Sequence, residues 1–165
     1  MTGRAVFALA ALAAVLAGPV AVAAQEAPQV VHDTAWHNAQ RAALARLDPA
    51  AGWRVLPDGV ALRRIAGDGS GARPTLADRV TVHYRGSFID GTVFDSSLDR
   101  GEPATFPLAR LIRGWQVAIP EMGVGDRYEI VIPADLAYGP LGKGPIPGNA
   151  TLLFTIELLG INPPE

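Results

Sequence analysis

Six aromatic residues stand where the strands of this chain are expected to give way to loops or to a short helix. They are Tyr84, Phe94, Phe106, Trp115, Tyr138 and Phe154. A core seldom needs so many rings at such places, whereas a ligand pocket does. Asp95 directly follows Phe94 and adds a carboxylate, and Tyr138 adds a hydroxyl. These residue types suit the binding of an apolar group that a few polar contacts orient.

Other kinds of chemistry have little support in the sequence. The histidines, His32, His37 and His83, are dispersed and have no carboxylate at metal-ligand spacing. Ser96 lacks the flanking glycines of a nucleophile elbow, and the glycines of residues 67–78 are not followed by the Gly-Lys-Ser/Thr of a phosphate loop. We therefore expect neither a metal nor a cofactor.

Charge and cysteine content limit the possible partners and compartment. The formal net charge is −2, and Lys143 is the only lysine. No basic cluster with interleaved aromatics is present, so nucleic acid is not an expected partner. The absence of cysteine excludes thiol chemistry and disulfides, so the fold must be held together by its core.

Residues 1–24 have the pattern of a secretory signal. Arg4 precedes a long Ala/Leu/Val run, which Gly18-Pro19 interrupts before the small residues Ala21, Ala23 and Ala24. We expect cleavage after Ala23 or Ala24 and a periplasmic or secreted mature chain. An uncleaved inner-membrane anchor is the alternative, since the run is long enough to span a bilayer.

The remaining residues divide into a short extension, 25–52, and a domain, 53–165. In the extension, Asp33 or Thr34 can cap one helix that ends before Pro49. Trp36, Ala39, Ala43 and Leu47 would share its apolar face, which we expect to pack on its own domain rather than on a partner chain.

The domain alternates strand patterns with turns. "DRVTVHYRGSF" places Val80, Val82, Tyr84 and Gly86 on one face, and Asp90-Gly91 predicts a hairpin. "LIRGWQVAIPEM" has nearly helical apolar spacing and stops at Pro120. The predicted fold class is α+β, with a twisted antiparallel sheet of about five or six strands wrapped around one short central helix. Trp115 could then simply pack between helix and sheet.

Five blocks of sequence carry a family resemblance over roughly residues 58–161. They are "VTVHYRG", "DGTVFDSS", "LIRGWQVAIPEMGVGDR", "IPADLAYG" and "NATLLFTIELL". In order and spacing they resemble the FKBP-type (immunophilin) peptidyl-prolyl cis-trans isomerases, with the exported bacterial members as the nearest in appearance. The resemblance implies an enzyme that accelerates X-Pro isomerisation while exported proteins fold.

The resemblance also implies which residues form the site. The implied catalytic residues are Phe94, Asp95, Trp115 and Tyr138. The implied substrate-binding residues are Tyr84, Phe106, Leu111, Ile112, Ile146 and Phe154. Trp115 would form the floor beneath the substrate proline, while the Ile112 N–H and the Tyr138 hydroxyl would hold substrate carbonyls. Asp95 would orient the pocket and is not assigned as a general base; capping the turn that follows it is its alternative role.

Two departures from the family pattern affect the expected partners. The loop reads Gly144-Pro145-Ile146-Pro147-Gly148 where exported members commonly have Pro-Gly-Ile-Pro-Pro, which bears on substrate preference and on binding of macrolide inhibitors. Only one short helix precedes the domain, whereas exported relatives often carry a long dimerising arm, so we expect a monomer. Proline-containing unfolded chains are the expected substrates, and a chaperone-like binding module with little turnover is the alternative function.

Overall fold

Seven strands form one antiparallel sheet in the computed structural model, which describes residues 32–162. The predicted signal, 1–24, lies outside the described residues. The strands are β1 (Arg54–Val55), β2 (Ala61–Ala66), β3 (Arg79–Phe88), β4 (Val93–Ser96), β5 (Ala104–Pro107), β6 (Arg127–Ile132) and β7 (Leu152–Asn162). The helices are α1 (Thr34–Ala45), α2 (Ser97–Arg100) and α3 (Arg113–Ala118).

The long strands β3 and β7 lie together in the sheet, whose order is β1-β2-β6-β7-β3-β4. The other edge of β3 is shared: its first half pairs with β5 and its second half pairs with β4. The predicted α+β class with an antiparallel sheet is confirmed. The sheet has seven strands rather than five or six, since β1 forms a separate strand of only two residues.

Alternation of buried and open positions along the strands follows the sequence pattern. Val80, Val82, Tyr84 and Gly86 of β3 are all buried, as expected for one face of a half-buried strand. The predicted Asp90-Gly91 turn closes the hairpin to β4, and Gly91 has φ +88°. Glycine adopts this left-handed conformation without the steric cost of a Cβ.

The central helix α3 packs on the buried face of the sheet. Gly114 lets it approach closely, because a Cβ there would collide with the side chain of Ile132 in β6. α3 ends at Ala118, just before the predicted stop at Pro120, and a 3-10 turn, Ile119–Glu121, follows it. Proline is tolerated there because the N–H groups of a first helical turn have no acceptor in that turn.

The N-terminal helix α1 packs against the start of β7. Asp33 caps it, with its side chain accepting a hydrogen bond from the Trp36 N–H at 2.8 Å. The predicted apolar face is only part of the contact, since the buried residue of α1 is Gln40. Its Oε1 accepts from the Thr151 N–H at 2.9 Å, and its backbone carbonyl accepts from the Thr151 hydroxyl at 3.0 Å. These bonds satisfy the polar groups buried at the contact.

Among residues 32–162, none of the helices has the length and apolar character needed to cross a bilayer. The same residues contain no group of three or more His, Asp or Glu side chains placed to hold a metal ion.

Candidate active site

An apolar cavity of about 220 Å³ opens between the buried face of the sheet and α3. It is called the aromatic cavity below. Nine of the ten residues implied by the sequence line it: Tyr84, Phe94, Asp95, Phe106, Leu111, Ile112, Trp115, Tyr138 and Phe154. Pockets for drug-sized ligands measure about 300–1,000 Å³. The aromatic cavity is smaller, so its size fits one or two residues of a peptide.

Different elements bring these side chains together. Tyr84 and Phe154 project from the neighbouring strands β3 and β7, in which each residue belongs to a buried set that recurs every second position. Phe94 and Asp95 come from β4, and Phe106 comes from β5. Because β4 and β5 both pair with β3, residues distant in sequence meet around Tyr84.

Trp115 lies at the centre of the ring cluster. It is 5% exposed, and three rings meet it edge-on: Phe154 at 5.3 Å, Tyr84 at 5.4 Å and Phe106 at 6.3 Å between centroids, with interplanar angles of 78–86°. Edge-to-face contacts of this kind are favourable between aromatic rings. The indole therefore has a fixed position, with the other rings standing around it.

A glycine makes room for two of the walls. A Cβ on Gly86 would lie 2.6 Å from the ring of Phe94 and 2.8 Å from the ring of Phe154. Those two rings pack on each other at 5.7 Å and 86° directly over the glycine. The two rings can pack there only because residue 86 of β3 has no side chain.

The polar side of the cavity is a network of three side chains. The Tyr84 hydroxyl donates to Asp95 Oδ2 at 2.5 Å, and Arg100 donates to Asp95 Oδ1 at 2.5 Å and to the Tyr84 oxygen at 2.9 Å. The Arg100 guanidinium also lies 5.7 Å from the Tyr84 ring centroid. Ser96, rather than Asp95, caps α2 with its side chain. The Asp95 carboxylate is therefore held within the wall of the cavity.

The network fixes the ionisation states of its members. Burial alone opposes ionisation of Asp95, but the hydrogen bonds from Tyr84 and Arg100, with the charge of Arg100, outweigh it and hold the pKa of the Asp95 carboxyl below its ordinary value. Burial, followed by the hydrogen bond to Asp95, raises the pKa of Tyr84. Burial and the charge of Asp95 likewise raise the pKa of Tyr138. Near neutral pH the site therefore holds one carboxylate and two neutral phenols.

Besides the buried Trp115 Nε1–H, two hydrogen-bond donors at the cavity have no acceptor among the described residues. The N–H of Ile112, which precedes the first turn of α3, is one of the helix-terminal donors that no carbonyl of the helix can satisfy. The Tyr138 hydroxyl is the other. Such groups are available to a carbonyl oxygen of a bound peptide.

Ile146 and Arg100 are the two places where the structure and the sequence-based site differ. Ile146 is 8% exposed and packs in the core beside the aromatic cavity, and it lines a neighbouring groove instead. Arg100 was not expected in the site. It follows Asp95 by five residues in a short polar turn, and no apolar periodicity marks its position. Only the fold of α2 brings its guanidinium back over Tyr84.

A small cavity surrounded by rings, with a free N–H and a free hydroxyl at its edge, suits a short apolar peptide, and comparisons with known proteins identify the class. The family described as "FKBP-type peptidyl-prolyl cis-trans isomerase" matches residues 71–159. The chain therefore belongs to the FKBP-type peptidyl-prolyl cis-trans isomerase family.

Individual relatives support the same assignment. The "FKBP-type peptidyl-prolyl cis-trans isomerase FkpA" of Aeromonas hydrophila is 53% identical over 96 residues, which are 58% of this chain and 36% of that protein. "FK506-binding protein 1" of Saccharomyces cerevisiae is 44% identical over 112 residues, 66% of this chain and 97% of that protein.

A solved isomerase structure from Pseudomonas syringae has the same fold. The two structures superpose with a TM-score of 0.72 at 34% sequence identity. The superposition covers 80% of this chain and 98% of the solved chain. The chain spans 36–48% of the length of the first bacterial relatives that it matches. Their likeness to this chain is therefore confined to part of each protein.

Proposed function

We propose that this protein is a peptidyl-prolyl cis-trans isomerase that acts on X-Pro bonds in the aromatic cavity. The observation that carries the proposal is the cavity itself, with an indole surrounded edge-on by rings and two free donors nearby. Its size fits one or two residues of a peptide, such as an X-Pro unit. Membership of the family supports the same activity.

An apolar cavity can accelerate this reaction without a nucleophile. Rotation about an X-Pro bond is slow because amide resonance must be lost, at a cost of roughly 18–20 kcal/mol. The planar amide is the more polar form, so water favours it over the twisted form. Inside the ring-lined cavity that preference is weakened. Tighter binding of the twisted imide than of the planar one is what lowers the barrier.

The polar groups then act as positioning and binding residues. The Ile112 N–H and the Tyr138 hydroxyl donate to carbonyl oxygens of the bound peptide, and this fixes the imide over Trp115. Asp95 and Arg100 hold the Tyr84 ring and hydroxyl in place through the network described above. No step transfers a proton, which agrees with a carboxylate that is ionised and already hydrogen-bonded.

The substrates and location follow from the same considerations. Unfolded or partly folded proline-containing polypeptides are the proposed substrates, in the periplasm or outside the cell after removal of residues 1–24. One relative of this chain is named "Outer membrane protein MIP", which supports an exported location. Relatives named "FK506-binding protein 1" support macrolides as inhibitors of the same cavity. We propose a monomer, since α1 packs on its own domain.

Exchange NMR on a short X-Pro peptide tests the activity in the mature chain, residues 25–165. Wild type should accelerate cis-trans exchange, and Trp115→Leu should lower kcat/KM at least about tenfold, as expected for loss of a buried tryptophan contact. Trp53→Leu is the matched control, because Trp53 packs against Arg63 outside the cavity. A folded wild type without activity would leave the chaperone-like binding module as the function.

A further inference from the structure

A second groove, with a volume of about 810 Å³, lies between α1 and the loop 140–150. It is called the flanking groove below. Trp36 and His37 of α1 form one wall, and Leu141 and Lys143 of the loop form the other. The hydrogen bonds between Gln40 and Thr151 fasten α1 to the residue that follows this loop. Both walls are therefore held in place by the fold.

The flanking groove adjoins the aromatic cavity at two points. Phe88, which lines the groove, has its ring 5.1 Å from that of Phe94, which lines the cavity. Lys143 Nζ lies 6.0 Å from the ring centroid of Tyr138. An extended chain advances about 3.3–3.6 Å per residue. A peptide whose proline occupies the cavity therefore reaches the groove within a few residues.

The flanking groove combines aromatic and apolar side chains with one lysine and the neutral polar side chains of Gln40 and Asn149. His32 stacks on Trp36 at 3.7 Å and 9°, and His37 meets the same indole edge-on at 5.0 Å. Leu141 is 83% exposed. Lys143 is the only lysine of the chain, and none of the described residues that line the groove is acidic. His32 Nε2 is buried there without a hydrogen-bond partner among the described residues.

We propose that the flanking groove binds the polypeptide next to the X-Pro bond and prefers segments that combine apolar and acidic side chains. The indole and the exposed leucine supply apolar contact, and the lysine supplies the charge that a carboxylate complements. This inference rests on the proposed function, because the proline in the aromatic cavity delivers the flanking segment to the groove. Binding in the flanking groove would make the enzyme select its substrate proteins by the residues that flank the X-Pro bond.

Matched peptides test the preference by exchange NMR at low ionic strength. One is an X-Pro tetrapeptide; two longer ones extend about five residues on both sides, or about 17 Å, with phenylalanine plus either glutamate or lysine. For each variant, the kcat/KM of a long peptide is divided by that of the tetrapeptide. In wild type the acidic peptide should exceed the basic one by about two- to fivefold, the range of an exposed ion pair.

Lys143→Glu should abolish or reverse that ratio, whereas Arg73→Glu should keep it. The two substitutions change the net charge equally. Arg73 lies at the other end of the sheet. The carbonyl of the preceding Ala72 accepts from the Val124 N–H near the start of β6, whereas the groove adjoins the start of β7, which pairs with the end of β6. An unchanged ratio in Lys143→Glu would overturn the charge preference. A third long peptide carries serine in place of phenylalanine. Trp36→Ala should remove the advantage of phenylalanine over serine, and an undiminished advantage would overturn the apolar contact.

Failure of the groove and failure of the isomerase give different results. If wild type accelerates exchange of the tetrapeptide but treats both long peptides alike, the enzyme stands and the groove proposal falls. If wild type accelerates no peptide, the proposed activity falls. Titration calorimetry of the acidic and basic peptides then tests the groove alone, and a preference for the acidic peptide that Lys143→Glu removes would still support it.

Discussion

Two substitutions of Asp95 distinguish a positioning carboxylate from a general base. Asp95→Asn removes the charge that pairs with Arg100 but keeps an oxygen that can accept from the Tyr84 hydroxyl. Asp95→Ala removes both. A general base loses its function equally in the two variants, because neither an amide nor a methyl group takes up a proton at neutral pH. A positioning residue should instead lose less activity in Asp95→Asn than in Asp95→Ala.

The structure sets the size of each loss. The carboxylate of Asp95 and the guanidinium of Arg100 are 45% and 53% exposed, so the pair is screened by water. We expect Asp95→Asn to lower kcat/KM about two- to fivefold. The Tyr84 hydrogen bond is more shielded and charge-assisted, so Asp95→Ala should cost about ten- to thirtyfold. Removal of a general base typically costs about 10²–10⁴-fold in both variants.

Exchange NMR on the mature chain measures both losses, and Arg100→Met provides the control. That variant leaves Asp95 intact but removes the same ion pair together with the hydrogen bond from Arg100 to the Tyr84 oxygen, so its loss should be at least that of Asp95→Asn. Equal losses of about a hundredfold or more in Asp95→Asn and Asp95→Ala, in proteins whose circular dichroism matches wild type, would refute the positioning role.

Three further predictions concern the cavity wall, the pH profile and the docking of α1. Gly86→Ala should lower kcat/KM at least about tenfold and the free energy of unfolding by about 1–3 kcal/mol, because the new Cβ overlaps the rings of Phe94 and Phe154. Exchange NMR and urea unfolding measure these effects, and a fully active variant would contradict the packing. The kcat/KM should be flat from about pH 5 to about pH 9, since the pKa of Asp95 is lowered from 3.8 and those of the two cavity tyrosines are raised from 10.0; a bell centred near neutrality would contradict it. Gln40→Ala should destabilise the protein by about 1–3 kcal/mol in urea unfolding, since it leaves a buried N–H unpaired, and a variant as stable as wild type would show that α1 is not docked by this contact.

The strands and the central helix could be predicted from sequence because their patterns are local. Alternation in "VTVHYRG" reflects a strand with one buried face, and the Asp-Gly pair fixes the turn after it. Nine of the ten implied residues lie around one cavity because β4, β5 and β7 all pair with β3, and α3 packs on the face that these strands share. Family resemblance supplied their grouping, which no periodicity contains.

Three features could not be predicted because they depend on contacts between distant segments. Arg100 is an ordinary polar residue until α2 folds back over β3. Gln40 interrupts the apolar face of α1, and its burial is favourable only because Thr151 supplies matching hydrogen bonds. Ile146 lies in a tight turn that a bridge to Lys143 closes, and its burial depends on the packing of that turn against the core.

The most direct test of the account is an NMR sample that contains the mature chain and a proline peptide in excess. Exchange cross-peaks report isomerisation, and intermolecular NOEs report which protein protons lie near the proline ring. Isomerisation in the aromatic cavity predicts both: accelerated exchange, with NOEs from the proline ring to the Trp115 indole. Exchange whose NOEs lead to another surface, or NOEs to Trp115 without accelerated exchange, would contradict isomerisation in the aromatic cavity.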